Sequence, residues 1–168
     1  VQPVADWWQI RVLTGWWSAQ WPTADDSGNG DINVNWTDIV ADNGDGTFKV
    51  TLDFTDHEIL NAMDEQNLLF AGAGFQILEI YVEEEVFVSG GGDTPAETVI
   101  WENDGTFDFV SWGGHFRFGL EGMDSLGECA ATFPQDVWDR LKSGPFNLLV
   151  TIKPDATWWQ IRVMDGWW

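Results

Sequence analysis

The sequence predicts an all-β protein, an antiparallel β-sandwich of the jelly-roll type with two short helices. Three observations lead to this prediction. Apolar and polar residues alternate with a period of two in several segments, the loops between them are rich in Gly, Asn and Asp, and only two segments have a helical pattern. The length of 168 residues fits one domain, so we expect a single unit over residues 1–168.

The strand predictions rest on this alternation. The segment "TFKVTLDFT" (47–55) places every second residue on an apolar face, and "HFRFGL" (115–120) and "FNLLVTIK" (146–153) do the same. The residues expected to face the core are Phe48, Val50, Leu52, Phe54, Phe116, Phe118, Leu120, Phe146, Leu148, Val150 and Ile152. The segment "NLLFAGAGFQILEIYV" is apolar almost throughout, which predicts a central strand pair or one long bulged strand, with Gly72 and Gly74 at the bulge or turn.

Two segments are typical of short helices, and a third is typical of a linker. "TDHEILNAMDEQ" (55–66) begins with the capping-box residues Thr55 and Glu58. "FPQDVWDRLKSG" (133–144) has a proline in its first turn and a glycine as its stop, with Val137 and Leu141 as its apolar pair. Residues 83–97 are acidic and then glycine-rich, which predicts an internal linker.

One strand is present twice. "WWQIRVLTGWW" (7–17) and "WWQIRVMDGWW" (158–168) are identical at nine of eleven positions. Alternation predicts that Trp8, Ile10 and Val12 face the core and that a Trp-Gln-Arg row faces outward in each copy. An indole can stack on a sugar ring while amide and guanidinium groups bind its hydroxyls. The candidate ligand-binding residues are therefore Trp7, Gln9, Arg11, Trp158, Gln160 and Arg162, together with Trp16, Trp17 and Trp167. The alternative is that these tryptophans pack against loops and that the arginines pair with carboxylates.

Four segments resemble a known family. They are "TVIWENDGTFDFVSWGG" with Trp101 and Trp112, "FPQDVWDRLKSGPFNLLVTI", the "QIRV..GWW" strand and "LLFAGAGFQILEIYV". Together they resemble β-sandwich domains of carbohydrate-binding-module type, common as secreted or surface modules of polysaccharide-degrading systems in Bacteroidetes. In that family the "WE" strand comes first and the "GAGF" strand last, so the resemblance implies a circularly permuted order with one strand duplicated. It also implies carbohydrate binding and a secreted or bacterial cell-surface location.

The duplicated strand has three interpretations. The chain could be one stretch of a tandem array whose boundary falls inside a domain. The spare copy could instead complete a neighbouring molecule by strand donation, which would build a filament. The two copies could also pair with each other as neighbouring strands of one sandwich.

The charge and motif content limit the partners. There are 28 acidic and 7 basic side chains, giving a net charge of −21, which disfavours nucleic acid and leaves polysaccharides, other proteins and divalent cations as partners. We expect neutral polysaccharide and, through the terminal strands, other copies of the chain. No apolar run is long enough to span a membrane. No metalloprotease, nucleophile-elbow or phosphate-loop motif occurs, and Cys129 is the single cysteine, so we expect no catalytic activity.

Calcium is the one cofactor for which the sequence offers candidates. Two loops are rich in oxygen ligands, which hard cations prefer. The candidate residues are Asp25, Asp26, Asn29, Asp31, Asp42, Asn43 and Asp45. Neither loop has the full pattern of an EF-hand, and both are also ordinary turn sequences.

Overall fold

The computed structural model describes residues 7–14, 19–21, 40–53, 55, 67–86, 94–111, 114–122 and 130–164. Within these residues the protein is mostly β, with two sheets and one helix, which confirms the all-β prediction at that level. The predicted helix at 55–66 lies almost wholly outside the described residues, as do Phe54, Trp112 and Cys129.

Six described strands form one sheet. In spatial order they are β2 (Ala19–Trp21), β1 (Trp7–Thr14), β11 (Trp158–Met164), β5 (Asn67–Ala73), β8 (His115–Leu120) and β9 (Ala131–Phe133). Neighbouring strands are antiparallel except for the pairs β1–β11 and β8–β9, which are parallel.

Five described strands form the other sheet. In spatial order they are β3 (Val40–Asp42), β4 (Thr47–Leu52), β10 (Phe146–Ile152), β6 (Phe75–Val86) and β7 (Thr94–Glu102), all antiparallel to their neighbours. Because β7 lies at the edge of this sheet, Pro95 within it does not interrupt a central hydrogen-bond ladder.

The two sheets share one hydrophobic core. The alternating apolar residues predicted for β4, β8 and β10 are buried in it, so this prediction is confirmed for every one of them that the structure describes. Trp101 of β7 crosses from one sheet to the other, since its ring centroid lies 5.0 Å from that of Phe118 in β8. Phe75 of β6 and Phe116 of β8 also meet across the layers, with ring centroids 6.4 Å apart. The packing of two sheets on one core is the arrangement of a sandwich.

The chain changes sheets at Gly74. β5 ends at Ala73 and β6 begins at Phe75, so the two strands predicted from one apolar run lie in different sheets. Gly72 has a φ of +135° and lies against β11, where a Cβ would overlap the carbonyl oxygen of Gln160. Glycine at this position therefore allows the close approach of β5 and β11.

The helix α1 (Gln135–Ser143) confirms the second predicted helix. It begins after Pro134 and ends at Gly144, as expected. Its fully buried residues are Trp138 and Leu141, whereas Val137 is only partly buried against the core. Trp138 is therefore the main anchor of α1, which the i, i+4 pair alone did not identify.

The segment predicted as a linker begins and ends in strand. Residues 83–86 close β6 and residues 94–97 open β7, and they pair with each other from Glu83 opposite Glu97 to Val86 opposite Thr94. Acidic residues are tolerated in this part of β6 because Glu83 and Glu84 are exposed. Residues 87–93 lie outside the described part of the chain.

The two copies of the duplicated strand are neighbours. β1 and β11 pair in parallel and in register, with Trp7 opposite Trp158 and each following residue opposite its equivalent. This is the third of the three arrangements considered from the sequence. β11 lies between β1 and β5, so the second copy occupies the inner position and the first copy lies nearer the edge of the sheet.

Candidate functional site

The alternation predicted for the duplicated strand is confirmed in β11. Trp159, Ile161 and Val163 have no exposed surface and belong to the core. Trp158 therefore faces the other way, and it is 38% exposed. An indole with this exposed fraction can contact a ligand.

The outward row is not open along its length. Gln160 is only 4% exposed, and Leu69 and Ala71 on the neighbouring strand are also buried. The half-buried Arg162 donates a hydrogen bond from Nε to Oε1 of Gln160, at 2.6 Å. The prediction of one exposed Trp-Gln-Arg row is therefore wrong at Gln160, because this part of the sheet face is covered and the amide is engaged by the arginine.

The other candidate ligand-binding residues are only partly described. The backbone of β1 places Trp7, Gln9 and Arg11 opposite their equivalents in β11, and its side chains are not described. Trp16, Trp17 and Trp167 lie outside the described residues. Trp158 is thus the residue of the predicted set around which a site can be built.

Trp158 lies on the rim of an open hollow of about 440 Å³, here named the Trp158 hollow. It is lined by the end of β5, the loop before β8 and the turn between β10 and β11. The lining residues are Ala73, Gly74, Asp108, Phe109, Val110, Ser111, Lys153, Asp155, Ala156, Thr157 and Trp158. Two carboxylates, an ammonium and two hydroxyls are thus placed beside an exposed aromatic ring, and all are able to bind the hydroxyls of a polar ligand.

Backbone hydrogen bonds hold the walls of the Trp158 hollow together. The amide of Gly74 donates to the carbonyl oxygen of Val110 at 2.8 Å, and the amide of Val110 donates to that of Phe75 at 2.7 Å. The amide of Lys153 donates to the carbonyl oxygen of Gly74 at 2.9 Å. The sheet crossing at Gly74 therefore fixes both loops relative to each other, so the hollow is formed by connected backbone.

Asn103 organises the loop that forms one wall. Its side-chain amide donates to the carbonyl oxygens of Ile77, at 3.0 Å, and Phe107, at 2.7 Å. Its Oδ1 accepts from the amides of Gly105, at 3.0 Å, and Phe107, at 3.3 Å. With both ends of the amide engaged, the loop is tied to β6.

The charged groups of the Trp158 hollow partly neutralise one another. Lys153 Nζ lies 3.4 Å from Asp155 Oδ1 across the turn, in an exposed ion pair. Asp108 Oδ1 accepts a hydrogen bond from the amide of Phe109 at 2.7 Å. The hollow therefore carries charge of both signs, with two carboxylates and one ammonium.

The calcium candidates that the structure describes form an ordinary turn. Asp42 Oδ1 accepts from the amide of Gly44 at 2.7 Å, and Asp45 Oδ1 accepts from both the amide and the hydroxyl of Thr47, at 2.9 and 2.6 Å. The bonds from Thr47 lower the pKa of Asp45. Among the described residues there is no cluster of three or more His, Cys, Asp or Glu side chains able to hold a metal ion. Asp25, Asp26, Asn29 and Asp31 lie outside them.

Sequence reasoning missed the polar residues around Trp158. Lys153, Asp155 and Thr157 lie in the turn "KPDAT" immediately before the second copy of the duplicated strand. A proline-containing turn next to an outward-facing tryptophan is a signal that could have identified them. Asp108 and Ser111 are remote in sequence, and only the sheet crossing at Gly74 brings them near.

Comparisons of the chain with protein-family models, with curated proteins and with solved structures find no match. Within the described residues, no helix is both long enough and apolar enough to cross a membrane.

Proposed function

We propose that this protein is a non-catalytic, carbohydrate-binding β-sandwich for neutral polysaccharide, secreted or carried on a bacterial cell surface. The observation that supports this proposal most is the Trp158 hollow, where an exposed indole lies beside hydroxyl, carboxylate and ammonium groups. A jelly-roll topology and a second helix belong to the same proposal.

The arrangement of the Trp158 hollow suits a sugar for a physical reason. One face of a pyranose presents C–H groups that pack on an indole, while its hydroxyls need both donors and acceptors. Lys153 donates, Asp108 and Asp155 accept, and Ser111 and Thr157 can do either. An open surface of this kind can bind a sugar without catalysing any reaction of it.

The test is binding of the full chain to a panel of neutral polysaccharides by affinity electrophoresis and calorimetry. We expect Trp158→Ala to weaken binding roughly tenfold because the stacking surface is lost. Val99→Ala is the matched control, since Val99 is 51% exposed and lies on β7 of the other sheet. Failure of the full chain to bind any neutral glycan, or equal binding by the two variants, would refute the assignment.

We also propose that the chain associates with other copies of itself through the duplicated strand. Both copies fit the same sheet with the same register, so a strand from one molecule can replace its equivalent in another. The alternative function is a structural one, a subunit of an extracellular filament built by strand donation with no role in glycan binding.

The position of the two copies indicates which truncation tests association. β11 is an inner strand, so its removal would damage the core, whereas β1 and β2 lie at the edge of their sheet. We expect light scattering over a dilution series to show concentration-dependent species for the full chain and a monomer for a chain lacking residues 1–21. A monomer at every concentration for both chains would remove self-association from the proposal and leave the glycan assay unaffected.

A further inference from the structure

A second open hollow, of about 490 Å³, lies on the outer face of the five-stranded sheet. We name it the Tyr81 hollow, after the tyrosine of β6 that contributes to its lining. The other residues that matter for its chemistry are Asp45, Lys49, Glu79 and Glu97. These residues come from β4, β6, β7 and the turn before β4, so the hollow is separate in sequence and in sheet from the Trp158 hollow.

Tyr81 has an unused hydroxyl. The residue is 6% exposed although it lies on an outer sheet face, and within the described part of the chain its hydroxyl makes no hydrogen bond. The hydroxyl oxygen itself keeps some exposed surface, so it opens into the hollow although most of the side chain is buried. Asn147, the neighbour of Tyr81 across the ladder, is equally buried but accepts a bond from Thr51 at 2.7 Å. The hydroxyl of Tyr81 therefore faces a hollow with its hydrogen-bonding capacity free.

The surroundings of this hydroxyl are negative. Burial first, and then the charges of Glu97, Glu83 and Glu79, together raise the pKa of Tyr81 to about 12. Lys49 does not balance all three carboxylates, because its Nζ is paired with Glu83 at 2.8 Å. Neither Glu79 nor Glu97 has an ion-pair partner among the described residues. The hollow thus combines the carboxylates of Asp45, Glu79 and Glu97, none of them in an ion pair among the described residues, with a hydroxyl and an aromatic ring.

The spacing of the acidic groups points to an organic cation. In the described residues the carboxylates do not come together in a group of three that could hold a metal ion. A primary ammonium group has three donors, which can be shared between separate acceptors, and it is attracted to an aromatic ring. An anion would be repelled, and a neutral group would leave these carboxylates unbalanced.

We propose that the Tyr81 hollow binds a primary ammonium group, which donates to the hydroxyl of Tyr81 and to the carboxylates of Glu79 and Glu97. The net charge of −21 concentrates cations near the surface and so favours this binding. The ammonium can belong to an amino sugar or to a lysine side chain. This function does not depend on glycan binding at the Trp158 hollow.

The test uses the full chain labelled with carbon-13 at the ζ position of tyrosine. Tyr81 is the only tyrosine in the sequence, so the NMR spectrum contains one resonance from the site itself. Glucosamine and Nα-acetyl-lysine amide are the two ammonium probes. N-acetylglucosamine is the neutral control, and sodium chloride at matched ionic strength controls for screening. We expect a saturable shift with both ammonium probes and not with either control, and the tighter probe identifies the source of the ammonium.

Two glutamate variants complete the experiment. Glu97→Gln should weaken binding of the ammonium probes roughly threefold to fivefold, because one charged acceptor is lost. Glu84→Gln is the matched control, since Glu84 is an exposed glutamate of β6 outside the lining of the hollow. Both residues are exposed, so neither change removes core packing. The proposal is overturned if neither ammonium probe gives a saturable shift, if N-acetylglucosamine gives the same shift, or if the two variants bind alike.

Discussion

Alkaline pH should destabilise this protein through Tyr81. The pKa of this phenol is raised from 10.0 to about 12 in the folded chain, mainly by burial and then by nearby glutamates. Below pH 10 the phenol is neutral in both states and contributes no pH dependence. Between pH 10 and about 12 the unfolded chain loses this proton while the folded chain keeps it, so stability falls as the pH rises.

The size of this effect follows from the shift. Each pH unit is worth about 1.4 kcal/mol, so the shift sets an upper limit of about 3 kcal/mol on the fall in the free energy of unfolding over this range, and solvent screening of the hydroxyl reduces it. Urea titrations at a series of pH values measure it, and Tyr81→Phe serves as the comparison. Lysine ionisation affects both chains equally and cancels in the difference. The phenylalanine variant should be close to the original near neutral pH, because the hydroxyl it removes makes no hydrogen bond within the described residues. If both chains lose stability with the same slope above pH 10, the pKa of Tyr81 is not raised in the folded chain and the reasoning is refuted.

Three further predictions concern stability, each measured by urea unfolding. Gly72→Ala should destabilise the fold by more than about 3 kcal/mol, because its Cβ would overlap the carbonyl oxygen of Gln160, whereas Gly105→Ala, at a φ of +92° in open space, should cost about 1 kcal/mol. Equal costs would contradict the close approach of β5 and β11. Trp159→Ala should cost about 3–5 kcal/mol because the side chain is fully buried, and a cost under about 1 kcal/mol would place it outside the core. Asn103→Ala should cost about 1–3 kcal/mol because the carbonyl oxygen of Ile77 loses this donor and the amides of Gly105 and Phe107 lose their acceptor, and no loss would show that water replaces the amide.

The strands could be predicted from the sequence wherever one face meets the core and the other meets water. In β4, β10 and β8 the alternation is clear because each strand has one buried face. Alternation does not reveal which sheet a strand joins, so β5 and β6 looked like a pair although Gly74 separates them into two sheets. The segment at 83–86 was predicted to be part of a linker because it is acidic. It is the end of strand β6, where the charged side chains do not prevent pairing with β7.

The candidate sites were harder to predict, for a related reason. Gln160 was expected to be exposed, yet it is buried, and Tyr81 and Asn147 are likewise buried on the outer face of the other sheet. The alternation of apolar and polar residues along a strand predicts which face of the sheet a side chain lies on. It does not show which other parts of the chain cover that face. The two hollows were missed because the residues that line each one lie on segments far apart in the sequence.

The duplicated strand raises the question of which copy takes the inner position. The two sequences have the same "WWQIRV" core, so their contacts with β5 cannot differ much. Their connections differ, because only residues 153–157 separate β11 from β10, and the amide of Lys153 is bonded to Gly74. A short connection of this kind corresponds to an effective concentration in the millimolar range. A strand from another molecule at micromolar concentration cannot displace β11, so exchange must take place at the position of β1.

This reasoning predicts complementation by a peptide. A chain lacking residues 1–21 exposes the edge of β11, and a synthetic peptide of residues 7–21 should bind to it saturably because it restores the ladder from Trp7 opposite Trp158 onward. The full chain is the control, since its own β1 occupies that edge, and it should bind the peptide at least tenfold more weakly. Near-ultraviolet circular dichroism of the truncated chain shows whether the core around Trp159 is intact. Equal binding by the full and truncated chains would mean that the peptide binds elsewhere, and no binding to a folded truncated chain would mean that the parallel pairing of β1 and β11 is too weak to join two molecules.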